Sequence, residues 1–118
     1  MNNLSIVILD GNLTHDPELK EVGENRRVTR FTVAANHEYG GNTEKKFVSY
    51  FQVECWDKLA DNCSRYLRKG SRVTVTGNLR QDRWQDERGQ NRSKIKINAN
   101  HVRFDYTPSQ KDNDEQAA

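Results

Sequence analysis

Four aromatic residues of this 118-residue chain stand where core packing gives them no reason to be. Tyr39 lies in a polar stretch beside Gly40-Gly41. Tyr50 and Trp56 sit at the two ends of an alternating face whose other members are Gln52 and Glu54, and Trp84 follows Arg83 in a basic segment. A ring left on a polar surface offers a flat π face. Such faces stack on other planar rings, nucleobases included, at roughly 1–3 kcal/mol per base and with no need to read sequence. The charge that would meet a phosphate chain lies in the same part of the molecule. Residues 65–103 carry 11 basic and 3 acidic side chains, whereas residues 1–64 carry 7 and 10 and residues 104–118 carry 1 and 4. The formal net charge of +2 therefore hides a strongly cationic middle, and phosphate binding depends on local rather than average charge. The candidates for that contact are Arg80, Arg83, Arg88, Arg92, Lys94 and Lys96, with Arg30 from an earlier segment.

Catalytic chemistry has no comparable constellation. His15, His37 and His101 are scattered, and neither a zinc-protease His pair, a nucleophile elbow nor a phosphate-cradling glycine loop occurs. The reading is a protein that is not an enzyme and that needs no metal or cofactor. Cys55 and Cys63 lack the spacing of a zinc site or a disulfide framework and read as reduced, buried residues. Hydrophobic residues make up 33% of the chain and mean hydropathy is −1.05, which allows one thin-cored domain supported by oligomerisation or carrying disordered parts. The apolar run from Leu4 to Leu9 is too short to span a membrane and lacks the flanks of a secretory signal, so the expected location is cytoplasmic.

The elements that must position these residues follow from periodicity. Leu4–Leu9 reads as a buried strand ending in a Gly11-Asn12 turn, with Asp16-Pro17 interrupting it and Glu18–Val22 prolonging the sheet. From Val28 to Ala35, Phe31, Val33 and Ala35 point to the core and Arg30 and Thr32 away. Residues 36–46 are either a polar hairpin or a mobile loop. In Phe47–Trp56 the odd positions are apolar and the even ones aromatic or polar, so Phe47 and Phe51, like Phe31 and Tyr66, are assigned to the core, with Phe104 at the core or its edge. Asp57 is placed to cap a helix whose stripe is Leu59, Cys63, Tyr66 and Leu67, and Gly70 to stop it. Two further strands follow, through Val73–Leu79 and Ile95–Phe104, with a bulge or bend at Gly77 and a basic Arg80–Arg92 hairpin turning at Gly89. Three strands, one helix and two strands suit an all-β, five-stranded Greek-key OB-fold barrel with the helix between strands 3 and 4.

The chain resembles the bacterial single-stranded DNA-binding protein family over residues 4–104. The matching stretches are Ile8-Leu9-Asp10-Gly11-Asn12-Leu13 leading to Asp16-Pro17-Glu18, and Trp56-Asp57-Lys58-Leu59-Ala60 running to Tyr66-Leu67-Arg68-Lys69-Gly70. Gly77-Asn78-Leu79-Arg80 and Trp84-Gln85-Asp86 with Gly89-Gln90 continue the series. The resemblance implies an OB-fold, a homotetramer, and sequence-independent coating of single strands in replication, recombination and repair, close to the nucleoid. Its stacking aromatics fall on Tyr39, Tyr50, Trp56 and Trp84. Tyr39 and Tyr50 stand where better-known members carry tryptophan, and Phe51 stands where a histidine associated with subunit contacts is common.

Two other readings stay open beside it. One is a protein-interaction OB-fold with weak DNA affinity; the other is a single-stranded RNA binder of the cold-shock type, since stacking alone does not read the 2′-OH. The expected division is residues 1–106 as the binding domain and 107–118 as a short disordered acidic tail. The family's tail recruits replication and repair proteins through an acidic tip ending in Pro-Phe. Here Asp112, Asp114 and Glu115 keep the acidity, while Gln116-Ala117-Ala118 replaces the aromatic anchor.

Overall fold

The computed structural model describes residues 3–39 and 42–109. In chain order it contains β1 (Val7–Leu13), β2 (Glu18–Glu21), β3 (Arg27–Tyr39), β4 (Asn42–Trp56), α1 (Asp57–Tyr66), β5 (Arg72–Gln85) and β6 (Asn91–Tyr106). Alternating β-branched and aromatic residues make β3 and β4 a long antiparallel pair, registered from Val28 opposite Trp56 to His37 opposite Phe47 and beyond. Residues 36–39 and 42–46 thus lie on paired strands, which agrees with the hairpin of the two forms open to this stretch; residues 40 and 41 lie outside the described residues. The β1 strand pairs with β5, β5 with β6, and β6 runs parallel to β4 at Val53–Ile97 and Glu54–Asn98. Contact of Asn12 and Leu13 with Ala34 and Val33 closes the ring. Five strands therefore form the barrel. β2 is a short spur on the Arg27–Arg30 end of β3, separated from β1 by Asp16-Pro17, and α1 lies between the third and fourth barrel strands, as the sequence pattern requires.

The interior is small and filled by small residues. Val33, Val53, Cys55, Val73 and Val75 are fully enclosed, and α1 closes one end with Ala60 and Cys63, followed by Leu67. Both cysteines are free and buried; contact with the Cys63 thiol, and then burial, pushes the Cys55 thiol far up, so it stays protonated. At Gly77 the β5–β6 register shifts, and a Cβ there would run into the Asn98 carbonyl, which gives the expected bend its cause.

Several expectations need correction. Leu4–Leu9 is not a buried strand: Val7 and Leu9 pack against the core while Leu4, Ile6 and Ile8 are exposed, because a continuous apolar run does not reveal that only alternate residues face inward. Gly11-Asn12 is no turn. The strand runs straight through it, and Gly11 is needed because a side chain would collide with Ala34 and Val33 of the crossing strand. Phe47, Phe51 and Tyr66, assigned to the core, are exposed by 49%, 38% and 51%. Among the described residues, β4 pairs with β6 only at Val53 and Glu54, so its outer half pairs with β3 alone and keeps its alternation without a second strand beside it. Phe47 stacks instead on His37, with ring centroids 4.8 Å apart. Asp57 does not cap α1: the N-cap is Trp56, no side chain caps it, and the Asp57 carboxylate accepts from Arg26 and from the Arg27 backbone N–H.

Candidate nucleic-acid interface

Antiparallel pairing fixes which side chains share the outer face of the sheet. Arg30 stands opposite Glu54, Thr32 opposite Gln52, Ala34 opposite Tyr50 and Val28 opposite Trp56. On the other hairpin, Arg80 stands opposite Lys96, Asp82 opposite Lys94 and Trp84 opposite Arg92. Between the two hairpins lies a groove of about 520 Å³, with Gln52, Glu54 and the Arg30, Lys96 and Asp82 side chains joined to Glu54 on its floor, and Trp84 and Lys94 along one wall.

The floor is built around one buried carboxylate. Glu54 is 3% exposed. Its Oε1 accepts the Trp56 indole N–H at 3.1 Å, and its Oε2 accepts Lys96 Nζ at 2.7 Å and Arg30 Nε at 3.2 Å. Lys96 Nζ also lies 2.7 Å from Asp82 Oδ2. Burial by itself would raise the Glu54 pKa, but the hydrogen bonds from Lys96 and Arg30 outweigh it and hold the carboxyl below its ordinary range. Lys96 is shifted the other way: desolvation opposes its charge, while Asp82 and Glu54 hold it above the usual lysine value. The Lys96 bond likewise holds Asp82 low. Glu54, Asp82 and Lys96 therefore stay ionised near neutrality, and with the Arg30 guanidinium the junction holds two carboxylates against two cations.

Trp56 is fixed from two sides. Besides the Glu54 bond at its edge, the Arg26 guanidinium sits 4.7 Å from its ring centroid. Arg26 in turn reaches Asp57 at 3.3 Å, and this bond holds Asp57 below the ordinary carboxylate range.

The remaining candidates are dispersed. Trp84 is 48% exposed and lines the groove. Tyr50, also exposed, borders a separate depression with Asn36, Val48, Arg68 and Lys69. Six residues of strand put it about 20 Å along β4 from Trp56, on the same face. Tyr39 ends β3, but its side chain lies outside the described residues. On the β5–β6 arm, Arg92 bonds to Asp86 at 3.1 Å, Arg80 lies 3.9 Å from Asp82, and Arg83 is held by the neutral Gln81 side chain. Among the described residues, Arg88 and Lys94 have no ion pair. Asp112, Asp114 and Glu115 lie outside the described residues.

Sequence reasoning missed Glu54, Asp82 and Arg26. The first was legible in part, since positions 52, 54 and 56 share a face, but nothing in a single sequence marked its burial. Arg26 comes from a turn, where no periodicity points at Trp56. Among the described residues, no helix is long and apolar enough to cross a membrane.

Comparison with known proteins bears on the whole of this architecture. The model of the single-strand binding protein family matches residues 4–105. A single-stranded DNA-binding protein of Treponema pallidum is 39% identical over 105 residues, covering 88% of this chain and 59% of that protein. One from Caldanaerobacter subterraneus is 35% identical over 101 residues, covering 86% and 67%, and single-stranded DNA-binding protein 2 of Chlorobaculum tepidum is 33% identical over 107 residues, covering 88% and 72%. The chain thus spans about three fifths of the length of the first of these relatives.

Proposed function

The chain belongs to the single-strand binding protein family, and from that premise we propose that it binds single-stranded DNA without sequence preference, coating exposed strands in replication, recombination and repair. The observation that carries this reading is the groove itself, with Trp84 on its wall and Trp56 anchored through the Glu54 carboxylate on its floor. Bases stack on Trp56 and Trp84, and along the same sheet face on Tyr50, with Tyr39 completing the set. Phosphates run along the β5–β6 arm past Arg83, Arg88 and Lys94, with Arg80, Arg92 and the half-exposed Arg30 engaged by carboxylates and Lys96 held inward.

The protein acts without catalysis, as a homotetramer, in the cytoplasm at the nucleoid. Exposed Leu4, Ile6 and Ile8 on the β1 side and Phe51 on β4 support the assembly, since apolar side chains of this size gain by being covered. Residues 1–106 act as the binding domain. The acidic residues Asp112, Asp114 and Glu115 offer replication and repair proteins a charged contact.

Titration with oligo-dT at low salt, followed by tryptophan fluorescence, tests the reading. Strong quenching is expected, with duplex DNA a poor competitor, and Trp56→Ala and Trp84→Ala should each cost about 1–3 kcal/mol of affinity. Absence of quenching, or equal affinity for duplex, overturns it. A matched RNA oligomer that competes equally well would instead favour the RNA-binding alternative.

A further inference from the structure

Glu54 asks for an explanation that barrel stability does not supply. A buried carboxylate costs desolvation, and an apolar side chain at the same place on a strand usually serves stability as well or better. Yet Glu54 is 3% exposed, both of its oxygens are engaged, and one of them is spent on the indole N–H of Trp56. The other gathers the two cations that, on the open face of a sheet, would otherwise be free for phosphate.

We propose that Glu54 is the positioning residue of the Trp56 platform, a role that rests on the stacking reading above. Its Oε1 sets the orientation of the indole, and its Oε2 draws Arg30 and Lys96 away from the nucleic-acid backbone. With Asp82 taking the other side of Lys96, the groove floor holds two carboxylates and two cations and has no net charge. The Trp56 platform held beside this floor therefore binds by ring stacking, and its contribution to affinity is largely independent of salt.

The two halves of this role have separate readouts. Glu54→Leu removes the acceptor of the indole N–H, so it should weaken oligo-dT binding by about fivefold more in the otherwise unchanged protein than in a Trp56→Phe background, where no N–H exists to be held. Glu54→Gln, nearly the same size, removes the charge that restrains Arg30, while Asp82 still holds Lys96. The log–log dependence of affinity on salt should then steepen by about 0.7, the increment of one additional phosphate contact. Equal losses from Glu54→Leu in the two backgrounds, or an unchanged slope in Glu54→Gln, overturn the proposal while leaving stacking intact. If Trp56→Ala itself leaves affinity unchanged, the stacking reading fails and the positioning role goes with it. The Glu54→Gln slope carries the test by itself where the leucine variant does not fold.

Discussion

The groove floor and the β5–β6 arm carry similar side chains to opposite ends. On the floor Arg30 and Lys96 are bound by Glu54 and Asp82, and Lys96 is largely enclosed, with 14% of its side chain exposed. On the arm Arg88 and Lys94 face outward with no ion pair among the described residues, and Arg83 leans only on a neutral glutamine. Counting basic residues would assign both regions to phosphate. Geometry separates them: the floor cations pair with the carboxylate that accepts the Trp56 N–H, whereas the arm cations are left in water, where the proposed phosphate contacts would find them.

The largest test of that contrast is stability. Lys96→Met should cost about 2–3 kcal/mol, somewhat less than the 3–5 kcal/mol typical of stripping a buried charge of its partner, because Arg30 still reaches Glu54. Lys94→Met, a two-residue neighbour on the same strand, should stay within about 0.5 kcal/mol. Urea melts of the two variants check this, and equal losses would erase the distinction between floor and arm.

How much of this could be read in the sequence divides along the same line. The barrel order, the helix after the third barrel strand, the bend at Gly77 and the outward placement of Tyr50 and Trp84 all follow from period-2 alternation and turn residues, which are local signals. Whether Phe47 and Phe51 are buried was not legible, because that depends on where β6 stops running beside β4, a long-range fact. The Leu4–Leu9 run failed for a related reason: a strand at a barrel rim and a strand at its centre have the same apolar sequence. Glu54 escaped notice because a carboxylate on a polar face reads as solvated, and only the meeting of β3, β4, β5 and β6 makes it a junction.

A smaller effect sharpens the comparison through pH. The folded-state pKa of Glu54 lies below its unfolded value of about 4.3, so its stabilisation is present above that pH and is lost as pH falls through the folded value. For Lys96 the shift is upward, so its stabilisation is complete below about 10.4, the unfolded value, and is lost as pH rises through the folded one. Between these limits the floor network should add no pH dependence. From pH 5 to pH 3, Glu54→Gln should lose less stability than the parent in urea melts; an identical decline in the two proteins would show that the carboxylate is not specially held.

The most direct test of the division between floor and arm is the salt dependence of oligo-dT affinity in two variants measured side by side. Replacing Arg83, Arg88 and Lys94 together by alanine should flatten the log–log slope by about 2, three contacts at about 0.7 each, whereas Arg30→Gln should leave it unchanged. A slope that drops with Arg30→Gln and holds in the triple variant would contradict the account, placing the phosphates on the floor and leaving the arm without its role.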